Sequence, residues 1–195
     1  MSRLSLSGDF PLKLAQIGQI WAIPKEESEK VQTEQNQQAI VALGSNLNEP
    51  KAQVENAIEI LSRKFAKDFR HSAIYRTEAE GMAAHAFDFA NAVVVFTTAL
   101  SPLALLGVLQ TLEVEFGRPS EHQKNSNRTL DLDLIALGDH AIASTELSLP
   151  HPRAMQRRFV LSPLAELIPD YRFPGYDVSL DVLLAQSPDL VMSIW

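Results

Sequence analysis

A chain of 195 residues, 46% of them hydrophobic, is long enough to bury one sizeable core, and its length fits a single domain. A formal charge of −7 opposes non-specific nucleic-acid binding, which needs a broad basic face, and the absence of cysteine excludes disulfide frameworks, thiolate catalysis and Cys-based zinc sites. No run reaches the roughly 18 consecutive apolar residues of a membrane span, and Asp9, Pro11, Lys13 and Gln16 interrupt residues 1–24, so neither an anchor nor a signal peptide is expected.

Residues 25–38 read KEESEKVQTEQNQQ, with Val31 as the one large apolar side chain. Such a stretch cannot bury enough surface to order itself and is expected to be a linker. Residues 1–38 are therefore expected to form an extension and polar linker, and residues 39–195 the globular domain. Residues 39–43 are a short apolar run closed by Gly44-Ser45-Asn46, a turn composition, and predict a buried strand. Val54, Ala57, Ile58, Leu61 and Phe65 recur at helical spacing behind Pro50, which suits a first helical turn. Phe69, His71, Ala73 and Tyr75 alternate with Arg70, Ser72 and Ile74, and residues 89–98 are dense in β-branched and aromatic side chains. Two strands are predicted there, separated by a loop around Gly81.

Ser101-Pro102 makes an N-cap and N1 pair, and Leu105, Leu109, Leu112 and Phe116 mark a helical face that stops at Gly117 in the C′ position. Beyond the polar segment 118–127, Leu130, Leu132 and Leu134 alternate with Asp131 and Asp133 as in a strand. The order β-α-β-β-α-β predicts an α+β fold of the ferredoxin-like kind, an antiparallel sheet covered on one side by two helices, with C-terminal helical additions.

Asp131 and Asp133 lie two apart on one strand, so their carboxylates project from the same face. Two like charges that close call for a cation, and one or two carboxylates plus substrate phosphates are the usual Mg2+ ligands of phosphoryl-transfer sites. The plain alternative is an exposed strand whose outer positions are acidic. Arg118, Lys124, Arg128, Arg153, Arg157 and Arg158 form a basic cluster in an otherwise acidic chain, which suits a triphosphate; ordinary surface ion pairs are the competing account. Pro150-His151-Pro152 fixes a rigid loop around a histidine that offers a contact to ribose or phosphate, although a lone histidine is more often structural. Phe89 and Asn91 share a strand face and, with Phe159, offer aromatic surfaces and an amide to a flat heterocycle, although core packing accounts for both phenylalanines equally well.

Together these segments resemble the 6-hydroxymethyl-7,8-dihydropterin pyrophosphokinase family over about Ile40 to Pro169. The resemblance rests on Val41-Ala42-Leu43-Gly44-Ser45-Asn46-Leu47, Tyr75-Arg76-Thr77, Phe89-Ala90-Asn91-Ala92-Val93 and the helix exit from Leu112-Glu113 to Gly117-Arg118. It continues through Arg128-Thr129-Leu130-Asp131-Leu132-Asp133, Leu149-Pro150-His151-Pro152 and Arg157-Arg158-Phe159-Val160-Leu161. It implies transfer of the β,γ-pyrophosphoryl group of ATP to a pterin alcohol with release of AMP, in folate biosynthesis. By the same resemblance Asp131 and Asp133 would hold two Mg2+ ions and act in catalysis with Arg118 and Arg128. Gln110, Glu113, Lys124, Ser148, His151 and Arg157 would bind ATP, and Thr77, Phe89, Asn91 and Phe159 would line the pterin pocket. The loops 78–88 and 118–127 would close over the nucleotide. A cytoplasmic monomer with small-molecule substrates, and neither nucleic acid nor membrane as partner, is expected.

The chain departs from the family pattern at Asn125-Ser126-Asn127, where a small residue and proline, often behind a tryptophan, commonly precede the motif arginine. Glu80 stands where an apolar residue is common, and Ser120 occupies a position that can carry an arginine. These changes are expected to weaken pterin or ATP binding without touching the metal pair. The alternative they raise is a divergent paralogue that binds a pterin or nucleotide without ordinary turnover. A ferredoxin-like RNA-binding module is the rival from another class, opposed by the acidity and by the lack of an RNA-motif signature.

Overall fold

The computed structural model describes residues 35–78, 88–117 and 128–195. The first apolar run lies in β1 (Gln37–Ser45), which pairs along its whole length with β4 (Phe89–Thr98). The strand is longer than its apolar run because this antiparallel ladder extends from Gln37 opposite Thr98 to Ser45 opposite Ala90. Gly44 and Ser45 therefore belong to the sheet, and the turn expected there begins at Asn46. Helix α1 (Pro50–Lys64) starts with proline in its first turn, as its sequence predicts. The chain enters it through left-handed backbone at Asn48 and Glu49, and Gln53 Nε2 donates back to the Asn48 carbonyl at 2.8 Å.

The alternating stretch around residues 69–75 does not form one strand. It divides into β2 (Arg70–His71) and β3 (Tyr75–Thr77), both paired with β4. The break lies at Ser72, whose hydroxyl accepts the Val93 N–H at 3.0 Å, and at Ala73, whose N–H donates to the Glu166 carboxylate. Side-chain acceptors have replaced regular ladder bonds. Helix α2 (Pro102–Glu115) keeps its expected boundaries: Ser101 Oγ accepts from the Ala104 N–H at 3.3 Å, and Gly117 follows with φ of +88°.

Strand β5 (Asp131–Leu137) pairs with the other edge of β1. The hairpin strands β6 (Ile142–Ala143) and β7 (Ser148–Leu149) follow, then a 3-10 turn at Ala154–Gln156. Helices α3 (Arg158–Leu167) and α4 (Leu180–Gln186) come next, and β8 (Met192–Ile194) returns to pair with β3. The main sheet runs β5-β1-β4-β3-β8, with β2 also on β4, and every pairing is antiparallel. Mixed helix and antiparallel sheet is thus the fold class.

Both faces carry helices. On one, α1 buries Val54, Ala57, Ile58 and Leu61, and Phe65 stacks on Phe96 of β4 with ring centroids 4.3 Å apart. On the other, α3 and α4 bury Val160, Leu161, Leu164, Leu180 and Leu183 against Ile40, Ala42, Val93 and Val95. Each of the valine, leucine, isoleucine and phenylalanine side chains contributes about 1.5–3 kcal/mol when fully buried. The expected one-sided cover describes the first two helices only; the C-terminal helices cover part of the second face, and the rest of it holds the polar site. No helix of the described residues is long and apolar enough to cross a membrane.

Candidate functional site

Residues directly opposite in an antiparallel ladder point to the same side of the sheet. Asp131 is opposite Gly44, Gly44 opposite Asn91, and Asn91 opposite Tyr75, so these four form one row across four strands. With neighbouring strands about 4.8 Å apart, Asp131 and Asn91 stand roughly 10 Å from each other. Between them Gly44 presents no side chain: a Cβ there would lie 3.6 Å from Asn91 Oδ1 and 3.9 Å from Asp131 Cβ. Asp133, opposite Ala42, and Phe89, opposite Thr77, extend the same face toward its two ends.

The leucines that alternate with the aspartates are buried, and the aspartates are half-exposed, as the spacing predicts. Their mutual repulsion is relieved by guanidinium groups. Arg128 Nη1 meets Asp131 Oδ1 at 2.6 Å, and Arg157 Nη1 donates to Asp133 Oδ2 at 3.1 Å. Buried Asn46 holds Arg128 in place: its Oδ1 accepts the Arg128 N–H at 2.8 Å, and its own N–H donates to the Arg128 carbonyl at 3.2 Å. The Gly-Ser-Asn stretch therefore braces the acidic strand from the neighbouring strand.

Glu113 is buried, and its Oε1 accepts the Leu132 N–H at 2.8 Å. That bond covers the outer edge of β5 midway between the two aspartates. His151 sits beside them because its N–H donates to the Ile135 carbonyl at 2.9 Å. Its Nδ1 accepts from the Arg153 N–H at 3.3 Å, so the neutral ring carries its proton on Nε2. Burial holds the imidazole below its usual pKa; the Asp133 charge opposes this, and Arg157 and Arg153 reinforce it. Burial likewise lowers the Arg157 pKa against the pull of Asp133, and the guanidinium stays charged at ordinary pH.

Toward β3, Asn91 and Thr77 are both buried, and Asn91 Nδ2 donates to Thr77 Oγ1 at 2.9 Å. Asn91 Oδ1 is left facing the Gly44 gap. Phe159, at the start of α3, packs against the apolar cluster of this same face, and the Arg157 guanidinium lies 5.5 Å from its ring centroid.

The structure thus gathers Thr77, Phe89, Asn91, Asp131, Asp133, Arg128, Glu113, His151, Arg157 and Phe159 at one end of the sheet. Gln110 is exposed on α2, and Ser148 lies half-buried in β7. Arg158 turns away, donating to the Leu184 carbonyl at 3.1 Å and to Ser187 Oγ at 3.4 Å. Arg118, Lys124, Glu80, Ser120 and Asn125-Ser126-Asn127 lie outside the described residues, as do residues 79–87 and all of 118–127 in the loops expected to close. Gly44, Tyr75 and Glu166 were not singled out as site residues by the sequence pattern. Gly44 and Tyr75 enter through the strand register, each lying opposite Asn91, which the order of residues in the chain does not show.

A family model described as 7,8-dihydro-6-hydroxymethylpterin-pyrophosphokinase matches residues 40–169. The 2-amino-4-hydroxy-6-hydroxymethyldihydropteridine pyrophosphokinase of Pseudomonas aeruginosa is 39% identical over 153 residues, covering 78% of this chain and 93% of the relative. The protein of the same name from Bacillus subtilis is 37% identical over 133 residues, covering 68% of this chain and 78% of the relative. A crystal structure of Plasmodium falciparum HPPK-DHPS superposes with a TM-score of 0.63 at 15% identity, covering 80% of this chain. This chain spans 46% of that longer chain, and the likeness there is one of fold.

Proposed function

The chain belongs to the 7,8-dihydro-6-hydroxymethylpterin-pyrophosphokinase family, a family of ATP-using enzymes, and from that premise we propose that it transfers pyrophosphate from ATP to 6-hydroxymethyl-7,8-dihydropterin, releasing AMP, as a step of folate biosynthesis. The observation that carries this reading is the row Asp131, Gly44, Asn91: a carboxylate and an amide on one sheet face with an open gap between them. Asn91 Oδ1 offers an acceptor to the N–H edge of a flat heterocycle, and Phe89 and Phe159 supply apolar surface on the same side. At the other end Arg128, Arg157 and the His151 Nε2–H offer donors to phosphate and ribose oxygens. Gln110, Glu113 and Ser148 complete the nucleotide set in this reading.

The donor chemistry at Asp131 and Asp133 fits magnesium. Among the described residues no cluster of three or more acidic or histidine ligands surrounds them. Mg2+ in phosphoryl-transfer sites takes only one or two carboxylates, the remaining positions being water and phosphate. Bound there with the nucleotide, Mg2+, as two ions by analogy with the family, supplies neutralisation of the charge that builds on the phosphates. The chain's own residues do the rest. Asn91 and Thr77 orient the pterin so that its hydroxymethyl oxygen faces the β-phosphorus. The new O–P bond then forms as the bond between the β-phosphorus and its bridging oxygen to the α-phosphate breaks, AMP departs, and the alcohol proton leaves with Asp131 or Asp133 as the nearest base. Alignment and charge neutralisation provide most of the acceleration in such transfers.

The fuller reading is a ferredoxin-like domain over residues 39–195, with Gln37 and Gln38 joined to it through β1, supported by the strand order of β5, β1, β4 and β3, preceded by an extension and acting as a cytoplasmic monomer. The test is AMP release from Mg·ATP with and without the pterin, comparing wild type with Asp133→Ala. Pterin-dependent AMP that falls about a hundredfold or more in the variant is the expected result. A folded wild-type protein that releases none defeats the assignment and favours the non-catalytic paralogue.

A further inference from the structure

Glu166 lies in the last turn of α3, where the helix's carbonyl end makes a carboxylate unfavourable. Its contacts offset this. The carboxylate accepts the Ala73 N–H at 3.0 and 3.2 Å through its two oxygens, and the Tyr75 hydroxyl at 3.1 Å. Arg70 donates to the adjacent Leu167 carbonyl at 3.0 Å, placing a cation at the helix end. These bonds join the end of α3 to the segment between β2 and β3, where the regular ladder to β4 is interrupted. That segment leads into Tyr75, opposite Asn91, and Thr77, whose hydroxyl accepts from the Asn91 amide. Burial and the Glu166 carboxylate raise the Tyr75 pKa, so the phenol keeps its proton and remains a donor.

We propose that Glu166 is a positioning residue for the heterocycle half of the site, an inference that rests on the pyrophosphokinase reading above. By fixing the Ala73 N–H and the Tyr75 hydroxyl it sets the place of β3, and with it the Thr77 hydroxyl that turns the Asn91 amide toward the Gly44 gap. A rigid helix that begins beside Asp133 through Arg157 thereby holds the strand that faces the pterin.

The test varies ATP and pterin separately in steady-state assays of wild type, Glu166→Ala, Glu166→Gln and Tyr75→Phe, with thermal unfolding alongside. Glu166→Ala is expected to raise the pterin KM about tenfold, with ATP KM and kcat within about twofold of wild type. Glu166→Gln keeps an oxygen acceptor for Ala73 and recovers most of that loss. Should the alanine variant not fold, Tyr75→Phe, which removes one hydroxyl, is expected to raise the pterin KM about threefold at unchanged ATP KM. A pterin KM within about twofold of wild type in the folded alanine variant, or in Tyr75→Phe where alanine does not fold, overturns the inference. So does an equal rise in both KM values, which marks a general structural role. A wild type without pterin-dependent AMP release defeats the functional reading and this inference together, whereas an active wild type with unaffected variants defeats the inference alone.

Discussion

Glu113→Ala removes the acceptor of the Leu132 N–H from a buried position at the outer edge of β5. The peptide N–H left behind is itself buried, because Leu132 is 5% exposed and lies beneath α2. Leaving such a donor unpaired costs about 1–3 kcal/mol. For a domain of this size each kcal/mol lowers Tm by about 2–4 °C, so the alanine variant is expected to melt about 2–12 °C below wild type. Glu113→Gln keeps a carbonyl oxygen at the same place and is expected to lose less than about 1 kcal/mol. Urea and thermal unfolding followed by circular dichroism give both numbers. Because Leu132 sits between Asp131 and Asp133, pterin-dependent AMP release should follow the same order, wild type above glutamine above alanine. An alanine variant that melts within about 1 °C of wild type, or a glutamine variant as unstable as alanine, refutes the claim that this one bond secures the edge of the acidic strand.

Arg157→Lys replaces a planar donor pair with a point charge and is expected to weaken binding of a non-hydrolysable ATP analogue about tenfold in calorimetric titration. A change below about twofold places the guanidinium outside the nucleotide contacts. Tyr171 has a buried hydroxyl with no protein partner among the described residues, so Tyr171→Phe is expected to be as stable as wild type at neutral pH or more stable by up to about 1 kcal/mol. Burial first, and the Asp139 charge second, raise the Tyr171 pKa above its ordinary value of 10.0. The unfolded chain therefore loses this proton first as pH rises past that value, and stability present below it is lost as pH climbs toward the folded pKa. Urea unfolding at pH 7 and about pH 10.5 should show a smaller alkaline loss in the phenylalanine variant.

The elements legible in the sequence were those whose boundaries are set by local chemistry. Pro50, the Ser101-Pro102 pair and Gly117 each act within one turn of the helix they delimit, and the structure keeps all three. The break in the strand at Ser72 and Ala73 depends on the Val93 N–H, 21 positions from Ser72, and on a carboxylate 93 positions from Ala73, so alternation over residues 69–75 carries no sign of it. Strand β8 has the same character: Met192–Ile194 is too short to announce itself, and its pairing with Tyr75–Thr77 exists only once the chain has returned to that edge. Gly44 reads as punctuation in one dimension. Its use as a gap between Asn91 and Asp131 emerges only from the register of three strands.

The basic cluster shows what more the sequence held. Arg157 and Arg158 carry equal charge and adjacent numbers, yet Arg157 meets Asp133 of the acidic strand, whereas Arg158 pairs with the exposed Asp189 at 3.7 Å. Val160, Leu161 and Leu164 form a stripe that faces the sheet, and Arg157, the extended cap residue whose carbonyl accepts the Val160 and Leu161 N–H groups, stands at the stripe's N-terminal end. Arg158 turns toward α4, where it bonds the Leu184 carbonyl and Ser187. A cation at the end of a buried apolar stripe is partly desolvated, and a partner charge offsets that cost. The charge that meets it is Asp133. The stripe and the acidic strand thus meet at this point, and the arginine that a composition count places among six equals is set apart by its place at the cap of the helix that packs on the aspartates' face of the sheet.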